Sequence, residues 1–185
     1  VNTPTEHMGP EQLADAVQAE ADRFSGKCRT ITGTELLQHN FPAIHAVGRA
    51  SCNAPRLVEL TWGDTDAPLL ALLGKGVCFD TGGLDLKNSS GMALMKKDMG
   101  GAASALTFAQ LVMQAKLPLR LRVLIPAAEN SISGNSYRRG DVLGYVGTTG
   151  NAPKDAPHLH FAIFQLTDKK QWWQGTPIDP YKVLR

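Results

Sequence analysis

With 185 residues, 43% of them hydrophobic, the chain is long enough for one domain with a real core, and its length does not require two. A formal charge of +2 spread over scattered lysines and arginines makes no basic stripe, which argues against a nucleic-acid partner. No apolar run approaches the ~20 residues of a membrane span, and Val1 opens no charged-then-apolar export signal, so the expectation is a soluble, cytoplasmic chain that engages no membrane.

The N-terminal third alternates helix and strand. Pro10 can open a helix on which Leu13, Val17, Ala21 and Phe24 recur at helical spacing, with Gly26 as its C-terminal cap. Cys28 to Ile31 reads as a short strand. Thr32-Gly33-Thr34-Glu35 has the spacing of a capping box for a second helix, which holds Leu36 and Leu37 and stops near Phe41-Pro42; another short helix is expected over Ala43 to Arg49. Leu57 to Trp62 and Leu69 to Leu73 read as strands joined by the turn Gly63-Asp64-Thr65-Asp66, either paired with each other or as successive strands of one sheet. Cys28, Cys52 and Cys78 are odd in number and lack CxxC spacing, so they are expected to be small buried thiols and not disulfides or zinc ligands.

The middle third holds most of the candidate chemistry. The strand ending at Leu72-Leu73 leads into a glycine-framed loop, which would place Lys75 and Asp80 at the carboxyl edge of a sheet, where α/β proteins commonly build their sites. Met99 starts a long helix that runs to about Lys116; it is nearly uncharged and should be buried on most sides, with Gly100 and Gly101 permitting close backbone approach. Leu119 to Ala128 then alternates Leu119, Leu121 and Val123 with Arg120 and Arg122 before turning apolar, as a strand entering the sheet core does. Glu129, Asn130 and Ser131 to Asn135 read as a polar turn, with a supporting role beside the site as the other reading.

Carboxylates are good ligands for divalent ions, and an amine joins them only as the neutral base, so Lys75, Asp80 and Asp98 can be read as a cation site. Lys87, seven residues beyond Asp80, could stay cationic and polarise a substrate carbonyl or stabilise an oxyanion. The same four residues can equally be solvated loop charges in surface ion pairs worth about 0 to 1 kcal/mol each.

Longer motifs bear on that choice. Phe41-Pro42-Ala43-Ile44-His45-Ala46-Val47-Gly48, Gly74-Lys75-Gly76 with Phe79-Asp80-Thr81-Gly82-Gly83, Lys97-Asp98-Met99-Gly100-Gly101-Ala102-Ala103, and Ser133-Gly134-Asn135 with Gly140-Asp141-Val142 resemble the leucyl (cytosol) aminopeptidase family over residues 1–143. The resemblance implies an α/β fold, a central mixed β-sheet flanked by helices, with Lys75, Asp80 and Asp98 as metal ligands and Lys87 as a catalytic lysine. It also implies zinc or manganese as cofactor, peptide substrates that lose their N-terminal amino acids, and a homo-oligomer.

The pattern then breaks. The family's Asn-Thr-Asp-Ala-Glu-Gly-Arg segment, which supplies two further carboxylates and an arginine, does not occur in this sequence. Residues 139–185 instead resemble a lysostaphin-type zinc endopeptidase, on Gly140-Asp141-Val142-Leu143-Gly144-Tyr145, Pro157-His158-Leu159-His160-Phe161 and Gly175-Thr176-Pro177-Ile178-Asp179-Pro180-Tyr181. That resemblance implies His160 as a zinc ligand and His158 as a catalytic histidine, although the upstream His-x-x-x-Asp element that would complete such a site is missing; His7, His39 and His45 read as structural or surface residues. The expected organisation is a partial aminopeptidase-like domain over 1–143 and an endopeptidase-like fragment over 144–185, packed as a β-hairpin tail and joined by a crossover near Arg139 to Leu143.

Leu159 to Phe164 reads as a strand, so His158 and His160 would face one side and could join Lys75, Asp80 and Asp98 in a mixed nitrogen and oxygen site. Three readings compete: a metallopeptidase of aminopeptidase type with an incomplete site, a folded inactive hybrid, and a module that binds or cleaves peptidoglycan.

Overall fold

Residues 120–130 alternate charged and apolar side chains, then run apolar to Ala128, and in the computed structural model they form the central strand of a mixed sheet. The described residues are 1–134, 136 and 138, together with the backbone of 163–165 and 176–178. The chain divides into two units, Val1–Val142 and Leu143–Arg185. The first runs α1 (Pro10–Arg23), β1 (Lys27–Thr32), α2 (Glu35–Gln38), α3 (Pro42–Gly48), β2 (Arg56–Trp62), β3 (Leu69–Leu73), β4 (Gly76–Asp80), α4 (Ser89–Met92), a single 3-10 turn (Met95–Lys97), α5 (Gly100–Gln114) and β5 (Arg120–Asn130).

One edge of β5 pairs antiparallel with β2, from Arg56 opposite Ala127 to Trp62 opposite Leu121, and β1 pairs antiparallel beyond β2. The other edge carries two strands end to end, both parallel to β5: β3 from Leu69 opposite Arg120 to Leu73 opposite Leu124, and β4 from Gly76 opposite Ala127 to Asp80 opposite Asn130. Pro126, which has no N–H to give a ladder, falls at the interruption between them. The parallel return from β4 to β5 is carried by α5, as a crossover requires.

Strand alternation sends side chains of the sheet to two layers. Val58, Leu60, Leu121, Val123 and Ile125 are fully buried under Leu13, Val17 and Ala21 of α1 and Ala102, Ala109, Val112 and Met113 of α5. Each such burial of a leucine or isoleucine stabilises the fold by about 1.5–3 kcal/mol. Ile31, Leu57 and Leu124 face the other way, beneath Leu36 of α2 and Ile44 of α3. The sheet is therefore mixed and flanked by helices, the architecture expected from the sequence. The second unit carries β6 (Ile163–Gln165) paired antiparallel with β7 (Thr176–Ile178). Among the described residues no helix is long and apolar enough to cross a membrane.

Several local expectations are corrected. The left-handed residue that ends α1 is Ser25 (φ 57°), not Gly26; Gly26 instead gives its N–H to the Ala21 carbonyl at 2.8 Å, closing the last turn. Thr32 to Glu35 makes no capping box, since α2 begins at Glu35 and no side chain caps it. Of the two arrangements expected for β2 and β3 the second holds: they are successive strands of one sheet and do not pair, because β5 lies between them. α5 is buried along one face only: Phe108 and Leu111 remain more than half exposed. Glu129 and Asn130 are the last residues of β5 and not a turn, and Gly76 to Asp80, read as loop, is a strand. Of the three thiols Cys78 alone is buried; Cys28 is half-buried and Cys52 exposed.

Two measurements check this packing. Burial, reinforced by the Glu129 charge and opposed by Arg56, pushes the Cys78 thiol up to about 12, so it stays protonated at neutral pH. In the folded chain Cys52 should react first with a disulfide reagent and Cys78 only after denaturation; rapid modification of all three thiols would contradict the burial. A Cβ at Gly74 would lie 2.7 Å from the Ala102 Cα, whereas one at Gly100 meets nothing within 4 Å. Gly74→Ala should therefore lose about 1–3 kcal/mol in urea unfolding while Gly100→Ala changes stability by less than about 1 kcal/mol.

Candidate metal centre

The candidate site is assembled by backbone contacts before any charge is paired. Gly74 donates its N–H to the Leu124 carbonyl at 3.0 Å, which ends β3, and the Lys75 carbonyl accepts the Ala102 N–H of α5 at 2.8 Å. A Cβ on Gly101 would stand 3.0 Å from the Lys75 nitrogen, so bare backbone is needed where loop and helix cross. That crossing sets Lys75 against the turn before α5, which ends at Asp98. The Lys75 ammonium donates to Asp98 Oδ1 at 2.8 Å. Oδ2 lies at the same 2.8 Å, so the ammonium sits astride both carboxylate oxygens.

At the far end of β4 a second pair forms. A β-bulge between Val77 and Phe79 shifts the register so that Asp80 stands beside Asn130. Asp80 Oδ1 accepts the Asn130 Nδ2–H at 2.7 Å and the Gly82 N–H at 2.9 Å; Oδ2 faces the Lys87 ammonium at 3.2 Å. Lys87 returns to Asp80 because the loop between them closes on itself, with the Lys87 N–H on the Thr81 carbonyl at 2.9 Å. Gly82 (φ +90°) makes that closure: a Cβ there would sit 2.3 Å from the Asp85 carbonyl oxygen. Burial alone would push the Asp80 carboxyl up, but the Gly82 N–H, the Asn130 amide and the Lys87 ammonium outweigh it and hold the group below its ordinary value of 3.8.

Lys75 and Asp98 thus meet, as do Asp80 and Lys87, and no hydrogen bond or ion pair among the described residues joins one pair to the other. Among the described residues no three His, Cys, Asp or Glu gather closely enough to hold a metal ion by themselves. His158 and His160 lie outside the described residues. One amine and two carboxylates are donors a zinc or manganese ion accepts, so the chemistry of this donor set fits a divalent ion.

Two residues beside the site carry more than their sequence suggested. Asn130 touches Asp80 directly. Glu129 is only 2% exposed; its carboxylate accepts Ser51 Oγ–H at 3.0 Å and Asn53 Nδ2–H at 2.8 Å on Oε2, and the Arg138 guanidinium at 2.6 Å on Oε1. A polar pair closing a long apolar strand was the available signal, since a buried charge needs such partners.

The model of the cytosol aminopeptidase family, catalytic domain, matches residues 1–150. The chain belongs to the cytosol aminopeptidase family. That match runs past the boundary at 143 drawn from the motifs. Peptidase B of Pectobacterium carotovorum is 41% identical over 152 residues, which cover 78% of this chain and 35% of that protein. The crystal structure of the cytosol aminopeptidase from Coxiella burnetii superposes with a TM-score of 0.70 at 56% identity, over 76% of this chain and 30% of that one. The bottromycin maturation enzyme BotP in complex with Mn superposes with a TM-score of 0.66 at 39% identity, again over 76% and 30%. The chain spans about a third of the length of the curated relatives it matches.

In this member of the cytosol aminopeptidase family, the lowered Asp80 carboxyl has a testable consequence. A group depressed on folding stabilises the native state in full above its unfolded value near 3.8, and that contribution is lost as pH falls through the lower folded value. With chelator present, the melting temperature of the parent should fall more steeply than that of Asp80→Asn below about pH 4. Superimposable acid limbs would remove Asp80 as a source of pH-dependent stability.

Proposed function

We propose that the chain derives its chemistry from peptide hydrolysis at a divalent-metal site, with Lys75, Asp80 and Asp98 as metal ligands. The observation that carries this reading is the pairing of Lys75 with Asp98, which brings an amine and a carboxylate 23 residues apart within 2.8 Å. Zinc or manganese, when bound, would supply an activated water and a hold on the substrate's free amine. Lys75 would ligate through its unprotonated amine, releasing Asp98 from the ammonium it now faces. Lys87 would remain cationic, move from Asp80 toward the scissile carbonyl and stabilise the negative charge that grows on its oxygen. The proposed substrates are peptides with a free N-terminus, cleaved after the first residue, and assembly of identical chains would follow the family.

His160 as an additional nitrogen ligand and His158 as a catalytic histidine complete the proposal. The likeness of 139–185 to a lysostaphin-type endopeptidase, and the hybrid origin it suggests, rest on the sequence motifs alone; a role in binding or cleaving peptidoglycan is the alternative they favour. A folded, inactive chain is the other alternative, favoured by the two lysines that occupy both aspartates.

The deciding experiment pairs metal analysis with leucine release from a leucyl amide in added zinc or manganese. The parent should retain metal and turn over, Asp80→Ala and Asp98→Ala should lose both properties, and His160→Ala should weaken metal retention. A parent chain that retains no metal and releases no leucine at high concentration is an inactive scaffold.

A further inference from the structure

Two strands that run parallel and end together place Asp80 and Asn130 opposite each other, and the bulge at Cys78 makes that register possible. The carboxylate can only accept, so the short contact is the Asn130 Nδ2–H donating to Asp80 Oδ1 at 2.7 Å. The Gly82 N–H reaches the same oxygen at 2.9 Å. With two neutral donors on Oδ1, the carboxylate cannot rotate about its Cβ–Cγ bond without breaking both, and Oδ2 is left as the oxygen turned outward, now facing Lys87 at 3.2 Å. The Asn130 backbone is occupied separately: its carbonyl accepts the Thr81 N–H at 3.0 Å and the Thr81 Oγ–H at 2.8 Å. The strand end is held from behind by Glu129 and its partners Ser51, Asn53 and Arg138.

We propose that Asn130 is a positioning residue of the cation site, holding Asp80 so that Oδ2 is the single oxygen presented to a divalent ion. The inference rests on the reading of Asp80 as a metal ligand. Asn130 touches neither cation nor peptide; it acts through Asp80, as hydrogen-bonded partners of metal-ligating side chains do, and their loss commonly costs about 10–100-fold in metal affinity. The side-chain amide is the active part, because the contacts to Thr81 belong to the backbone and survive substitution.

The test measures Mn2+ affinity of the full chain from the paramagnetic signal of free Mn2+, for the parent, Asn130→Ala, Asn130→Leu, Asp80→Asn and the double variant Asp80→Asn/Asn130→Ala. Leucine keeps the shape of asparagine and removes the donor, so it carries the test if alanine lowers the melting temperature. A loss of about 10–100-fold in both Asn130 variants, with no further loss from Asn130→Ala in the Asp80→Asn background, supports the assignment. Parent-like affinity in both variants overturns it, as does an equal loss from Asn130→Ala with Asp80 already neutral. A parent that binds no Mn2+ overturns the metal-site reading and this assignment together, whereas a binding parent with unaffected Asn130 variants overturns the assignment alone.

Discussion

The contact on which the site depends is the crossing of Gly74-Lys75-Gly76 over the first turn of α5. It is made of backbone: a Cβ on Gly74 would come within 2.7 Å of the Ala102 Cα and one on Gly101 within 3.0 Å of the Lys75 nitrogen, while on the sheet side one on Gly76 would come within 2.7 Å of the Pro126 carbonyl oxygen of β5. Protein interiors do not yield easily at such distances, so these positions admit no side chain without displacement of the loop or the helix. Residues 75 and 98 are brought together by that fit. The ion pair between them is a consequence of it, since the lysine side chain is 57% exposed and a pair so solvated contributes at most about 1 kcal/mol.

The interruption between β3 and β4 follows from the same geometry. Leu73 finishes its pairing at Leu124, Gly76 resumes at Ala127, and Pro126 lies between with no N–H to offer. Lys75 sits in that gap, free of the ladder, with its side chain available to Asp98. At the other end of β4 the bulge brings Asp80 into register with Asn130, and the glycine turn at 82–83 folds Lys87 back. Each aspartate thereby receives one lysine, and the two pairs stand at the two ends of a five-residue strand.

Glu129 shows how the strand end is kept rigid. A carboxylate buried to this degree is costly unless paired, and here Ser51, Asn53 and Arg138 supply donors to both oxygens. Those partners come from the segment after α3 and from beyond β5, so the carboxylate fastens two parts of the chain to the end of the central strand. The helices α1 and α5 cover one face of that strand and α2 with α3 the other, which leaves its carboxyl end as the place where polar residues collect.

The sequence by itself determined the elements between residues 10 and 73, the long helix and the central strand, and which side of α1 and β5 turns inward. Periodicity of two in Leu121, Val123 and Ile125 and of three to four in Leu13, Val17 and Ala21 reports directly which side meets the core, because burial is the dominant force on those residues. The motifs around Lys75, Asp80, Lys87 and Asp98 likewise marked the candidate site. Tertiary structure alone decided that Leu69 to Leu73 pairs with β5 and not with β2, that α5 keeps Phe108 and Leu111 at its surface, and that Asp80 chooses Lys87 and Asn130 while Lys75 chooses Asp98. Those choices depend on strand register, on one bulge and on close approach between glycines distant in the chain, none of which leaves a local pattern in the residues involved.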